Sequence, residues 1–192
     1  MSDVLAPCYY LAPDYIPTQG TKHMAVDPAT LLDIGPVGVP SETLLNDMLD
    51  RVNKAQKAWA KTDCKTRAGL LHGVADAMER ADMQDIAITM TREIGKPYPE
   101  SIGEIANIPA VFRYFAEMAR DDNGKIAGSM QPGSFQFQTY APYGVSVHIV
   151  PYNFPIILGC WTLASSLAAG NGVVLKAAPA GSRCTLAVLK FF

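Results

Sequence analysis

Apolar positions fall three and four residues apart through most of the first 120 residues, then shift to short apolar runs in the last fifty. Leu44, Leu45, Met48, Leu49, Val52, Ala55 and Trp59 share one helical stripe, with Asp47, Asp50, Arg51, Lys54 and Lys57 mainly on the other faces. Ser41 is a good N-cap for this helix, and Glu42 lies in its first turn. Asp63 opens a second helix with Leu70, Leu71, Val74, Ala77, Met78 and Ala81 on its inner face. Met83, Ile86, Ala87, Met90 and Ile94 mark a third, stopped by Gly95 and Pro97. A fourth is expected from about Glu100 to Arg120, with Pro109 kinking it or relieving its first turns.

Strand signals flank this helical block. Residues 1–22 carry Pro7, Pro13 and Pro17 without a clear period and read as an extended arm or a partly disordered one. Met24 to Thr30 reads as an edge strand running into a turn, and Leu31 to Pro40 contains a second strand. After a turn at Asp121-Asp122-Asn123-Gly124, Lys125–Gly128 and Phe135–Tyr140 read as two strands around Pro132-Gly133. The second alternates apolar and polar residues, so one of its faces is wet or partnered.

The last stretch has the order strand, loop, helix, turn, strand. Val145 to Val150 is rich in β-branched residues, a buried-strand pattern. Pro151 and Pro155 bracket Tyr152-Asn153-Phe154 and force a turn. Ile156 to Ala169 is almost entirely apolar or small, Gly170-Asn171-Gly172 ends that helix, and Val173-Val174-Leu175 forms a second strand closed by Lys176. This is one βαβ unit of a parallel sheet. Both strands point the same way, so Asn153 and Lys176 share the carboxyl edge, where open α/β sheets bind ligands. Asn153 can donate to a developing oxyanion, and Lys176 is a charged donor for hydroxyls or phosphates. From spacing alone two readings stand: these roles, or a turn cap and a solvated strand end.

Composition narrows the partners. The 192 residues are 49% hydrophobic with a net charge of −2 and a pI near 5.9, enough for a domain with a real core. Scattered Lys and Arg residues give no nucleic-acid patch. The longest apolar run is too short to span a bilayer, and the first residues lack the pattern of a signal peptide, so the expected setting is cytoplasmic. Cys8, Cys64, Cys160 and Cys184 have no zinc or C-x-x-C spacing and read as reduced thiols, with no metal site expected. Cys160 is expected as a small hydrophobe in the helix, and His148 as a packed or hydrogen-bonded strand residue.

Pro142-x-Gly144-Val145-x-x-x-Ile149-x-Pro151-Tyr152-Asn153-Phe154-Pro155, followed by Leu167-Ala168-Ala169-Gly170-Asn171-Gly172-Val173-Val174-Leu175-Lys176, resembles the signature region of the aldehyde dehydrogenase superfamily. Asp27-Pro28-Ala29-Thr30 and Glu93-Ile94-Gly95-Lys96-Pro97 are supporting matches, the second with the ordinary role of a helix stop. Glu104 falls where that family has an acidic residue, with a structural ion pair as the plain alternative.

The resemblance implies an α/β fold: the N-terminal part of a Rossmann-type cofactor domain, with helices, an incomplete parallel sheet and a protruding β-hairpin. It divides the chain into 1–123 (arm, hairpin and helical part), 124–141 (a projecting hairpin that joins subunits into a homo-oligomer) and 142–192 (the first βαβ unit). The implied activity is NAD- or NADP-dependent oxidation of a small-molecule aldehyde to a carboxylic acid. Asn153 would donate to the oxyanion of the adduct. Lys176 would bind the adenosine ribose, and the Val150-Pro151-Tyr152 backbone would line the nicotinamide path.

The resemblance also places the second phosphate-binding helix start, the general-base Glu and the nucleophilic Cys beyond Phe192. Residues 1–192 alone are therefore expected to be inactive, and the competing reading is a non-catalytic remnant that packs on other chains or binds nucleotide weakly. Tyr152 stands where the family most often has Trp. Ala177-Ala178-Pro179 replaces a common Pro and a ribose-binding Glu, which leaves NAD against NADP open. Exposed apolar surface is expected along the sheet edge and the final helix.

Overall fold

The structure is a computed structural model that describes residues 8–17, 20–121, 124–129 and 131–192. The chain begins with two antiparallel hairpins. The first, β1 (Cys8–Leu11) with β2 (Asp14–Pro17), replaces the irregular arm expected for residues 1–22, of which 1–7 lie outside the described residues. Its prolines hid the pattern, but the aromatic pair it brings together is cohesive: the rings of Tyr10 and Tyr15 meet edge to face at 5.0 Å. The second hairpin is β3 (Lys22–Val26) with β4 (Asp33–Gly38). Asp27 shapes its turn, accepting the backbone N–H groups of Ala29 at 2.9 Å and Thr30 at 3.3 Å.

Five helices follow. In α1 (Glu42–Trp59), Ser41 Oγ accepts the N–H of Leu44; in α2 (Cys64–Arg80), Asp63 accepts that of Thr66. Helix α3 (Gln84–Ile94) stops at Gly95, whose φ of 74° is the left-handed cap that glycine favours. The single helix expected from Glu100 to Arg120 is instead two, α4 (Tyr98–Ala106) and α5 (Ile108–Met118). Pro109 cannot donate to a preceding turn, so the chain breaks at Asn107 and the proline sits harmlessly in the first turn of α5. The Asn107 side chain closes the break by donating to the Gly103 carbonyl at 2.7 Å. The turn expected at Asp121 to Gly124 lies in its middle outside the described residues. Next come β5 (Gly124–Ala127) and β6 (Gln136–Thr139), an antiparallel pair whose Ile126 and Phe137 are exposed, as are neighbouring Phe135 and Tyr140.

The last unit is β7 (Val145–Ile149), α6 (Pro155–Ala168) and β8 (Gly172–Lys176), with the strands parallel and in register from Val145↔Gly172 to Ile149↔Lys176. A 3-10 turn at Pro179–Gly181 leads into α7 (Ser182–Val188). One core joins Leu71 and Met78 of α2, Met90 of α3, Phe112 of α5, Ile156 and Leu163 of α6, and Val188 of α7. The final helix is thus packed rather than exposed, correcting that expectation: Cys184, Thr185, Ala187 and Val188 are all buried. Tyr15 pins it from outside by donating to the Leu186 carbonyl at 2.7 Å.

Helix α6 is held at both ends by side chains from other helices. At its C-terminus Gln56 donates to the Gly170 carbonyl at 3.1 Å, Trp59 to Leu167 at 3.0 Å, and Arg67 to Ala168 at 2.9 Å. At its N-terminus Pro155 has no N–H, and Glu104 accepts both of the next two donors, Ile156 and Ile157, each at 3.0 Å. An anion at the start and a cation at the end both oppose the helix dipole. Helix α6 covers the face of the sheet that carries His148, and α1 meets the start of the other face. A Cβ at Gly172 would lie 3.0 Å from Val52 and Gln56, so glycine sets this close approach. Beyond α1 that face is open: Val147 is 61% and Ile149 76% exposed, which agrees with the expected apolar sheet edge.

Candidate functional site

The two strand ends are tied together. The N–H of Val150, itself buried, donates to the Lys176 carbonyl at 3.3 Å, one step beyond the Ile149↔Lys176 pair. Pro151, Tyr152, Asn153 and Phe154 then run across the exposed carboxyl edge before Pro155 dives into the core. The sequence-predicted residues Asn153 and Lys176 therefore lie on one edge. Both side chains are exposed, and neither makes a hydrogen bond or ion pair with another described residue. Their amide and ammonium groups are free to meet a ligand. Val150, Pro151 and Tyr152 offer backbone along the same edge, with the Tyr152 ring 59% exposed.

Beneath the loop sits a buried ion pair. Lys96 Nζ lies 2.6 Å from Glu104 Oε2, with the two side chains 7% and 0% exposed. The same ammonium donates to the Asn153 carbonyl at 3.2 Å and stands 3.5 Å from the centre of the Phe154 ring. The Glu104 carboxylate holds α6, as described, so the ion-pair reading of this residue is correct but incomplete. The part played by Lys96 was missed: a helix stop accounts for Gly95 and Pro97, and nothing in the sequence marks the lysine between them as buried. Glu93 in the same segment is also more than a stop. Its buried carboxylate accepts the N–H groups of Arg183 at 2.8 Å and Cys184 at 2.9 Å, capping α7. Burial pushes its carboxyl up, and those two donors offset part of the rise.

His148 and two of the cysteines are packed inside the fold. His148 Nε2 lies 2.8 Å from Ser146 Oγ and 3.2 Å from Ser166 Oγ, on the α6 side of β7 and away from the loop. Burial pushes its imidazole below the ordinary histidine range. Cys160 and Cys184 are fully buried, and burial drives both thiols up, so neither offers a thiolate at neutral pH. Among the described residues no group of His, Cys, Asp and Glu is arranged to hold a metal ion, and no helix is long and apolar enough to cross a membrane.

The sequence profile of the Aldehyde dehydrogenase family matches residues 15–192. A long-chain-aldehyde dehydrogenase from an Acinetobacter species is 41% identical over 133 residues, 68% of this chain and 26% of that protein. The crystal structure of an aldehyde dehydrogenase from Brucella melitensis biovar abortus 2308 superposes with a TM-score of 0.90 at 31% identity, covering 96% of this chain and 38% of that one. An NADP-dependent glyceraldehyde-3-phosphate dehydrogenase from Bacillus halodurans C-125, solved with NADP, superposes at 0.88 and 25% identity over 97% of this chain and 40% of its own. The chain spans roughly a quarter to a third of the length of the curated relatives it matches.

Proposed function

The chain belongs to the aldehyde dehydrogenase family, a family of oxidoreductases, and from that premise we propose that it carries the oxyanion and cofactor edge of an NAD- or NADP-dependent oxidation of an aldehyde to a carboxylic acid. One observation carries the reading: strand register brings Asn153 and Lys176 to the same sheet edge with both polar heads unpartnered among the described residues. The Asn153 amide donates to the oxygen of the aldehyde as it gains negative charge. The Lys176 ammonium binds ribose hydroxyls or phosphate of the dinucleotide, and the Val150, Pro151 and Tyr152 backbone lines the nicotinamide. The dinucleotide supplies the hydride acceptor. An exposed cationic head beside free backbone fits such a polyhydroxylated, anionic group.

Buried Cys160 and Cys184 do not supply a nucleophile, and a neutral donor and an ammonium cannot replace one. On this reading residues 1–192 alone bind dinucleotide without oxidising aldehydes. The hairpin of β5 and β6, with its exposed Ile126, Phe135 and Phe137, joins copies of the protein, and the unpaired Cys64, Cys160 and Cys184 suit a reducing cytoplasm. Titration of the chain with NAD and NADP by saturation-transfer NMR tests the reading. Lys176→Ala should weaken binding roughly 10- to 150-fold, the loss of a charged hydrogen bond worth about 1.5–3 kcal/mol. Asn153→Ala should leave binding intact. Failure of the wild type to bind either dinucleotide, or sustained NADH production by the purified chain, would refute it.

A further inference from the structure

We propose that Lys96 is a positioning residue for Asn153, acting with Glu104 as a buried electrostatic clamp on the loop that presents the carboxamide. This rests on the reading of Asn153 as the oxyanion donor.

A buried ion pair is poor material for stability alone. Desolvating both charges costs several kcal/mol, and a well-packed apolar pair of similar volume is often as stable or more so. What such a pair can do is fix geometry, through the bonds its two members have left to make. Here those bonds all go to one place. Beyond their mutual 2.6 Å contact, the lysine ammonium reaches the Asn153 carbonyl and the Phe154 ring, and the glutamate reaches the N–H groups of Ile156 and Ile157. Four of the five residues from Asn153 to Ile157 are touched by two side chains, and the fifth is Pro155, whose ring fixes the backbone by itself.

The clamp is also rigidly based. Lys96 follows Gly95, whose positive φ turns the chain sharply out of α3, and precedes Pro97, which opens α4. Glu104 lies within α4 two turns on. Both partners thus come from one short helix corner, and the loop they hold is 57 residues from Lys96 along the chain. The Asn153 carbonyl is the group gripped, so Lys96 restrains the backbone from which that side chain projects. A preorganised oxyanion donor needs this kind of support, since an amide free to wander gains little when charge develops.

The test uses the ¹⁵N-labelled 192-residue chain. Lys96→Met with Glu104→Gln removes both charges together. The methionine keeps the apolar stem, and the glutamine oxygen still accepts from Ile156 and Ile157, so the cap on α6 survives. Backbone order parameters of Asn153 and Phe154 should fall from the rigid range near 0.85 to below about 0.6. Amides of α2 and α5 should be unchanged. An unchanged loop in the folded double variant would overturn the proposal. So would unfolding or uniform loosening of the whole chain, which would make the pair a stability element. Dinucleotide titration reports separately on Lys176, so loss of the cofactor reading leaves the loop measurement, and what it says of the clamp, intact.

Discussion

Replacing Arg67 by Met should destabilise the chain by about 2–3 kcal/mol. The guanidinium is half-buried and spans two carbonyls: Nε donates to Ala168 at the end of α6, and Nη1 to Thr62 in the turn after α1. Hydrogen bonds from a charged donor contribute about 1.5–3 kcal/mol. Loss of a cation at a helix C-terminus adds about 0.3–1 kcal/mol. The methionine stem preserves much of the packing, so the sum reads polar loss rather than a cavity. Arg67→Lys keeps the charge but cannot span both acceptors, and should cost about half as much. With a urea dependence near 2 kcal/mol/M, Arg67→Met should lower the unfolding midpoint by about 1–1.5 M. Trp59 donates to the adjacent Leu167 carbonyl, so its fluorescence reports on the same corner and should melt together with the helical circular dichroism. An Arg67→Met variant within about 0.5 kcal/mol of wild type, at unchanged slope, would refute the view that Arg67 closes α6. A lysine variant no better than the methionine one would refute the share assigned to charge.

Two further outcomes follow from the sheet. Burial pushes His148 down, so the unfolded chain binds its proton more tightly. The stability this contributes is complete above the ordinary histidine value near 6.5 and is lost as pH falls from there through the lowered folded value. Urea midpoints of wild type and His148→Gln between about pH 5 and pH 7.5 should diverge toward neutral pH; parallel curves would reject the assignment. Ile149 is 76% exposed on the open face of β7, so Ile149→Lys should reduce association in light scattering while changing stability by no more than about 0.5 kcal/mol. Unchanged scattering would reject a role for this face in association.

Much of this architecture was legible because it is local. Ser41, Asp63 and Gly95 announce the ends of their helices within three or four residues, and each cap forms as its residue type dictates. The βαβ unit was legible for a similar reason: two β-branched runs separated by one apolar helix leave few alternatives, and they fix Asn153 and Lys176 at one edge. The misses are of another kind. Pro13 and Pro17 broke the period of the first hairpin, which is held by its Tyr10–Tyr15 pair and by a bond from Tyr15 to Leu186, 171 residues away. The final helix looked exposed because its partners, Glu93 among them, lie some 90 residues earlier. The contact from Lys96 to Asn153, 57 residues apart, leaves no periodic trace at all, and the burial of the charge shows only in the structure.

The dependence of α6 on Arg67 and Glu104 also ties distant parts of the chain together. Those contacts close loops of 101 and 52 residues, and α2 itself packs on α5 across long separations, as in the His72–Glu117 contact 45 residues apart. Closing a longer loop costs more entropy, though the cost grows only slowly with length, so the Arg67 clasp is the more expensive of the two to close. The segment from Pro142 onward is then a passenger: severed from residues 42–120, it would lose both clasps of its helix and the scaffold for its loop. The candidate edge exists only on a foundation built by residues far from it in the chain, Lys96 and Glu104 among them.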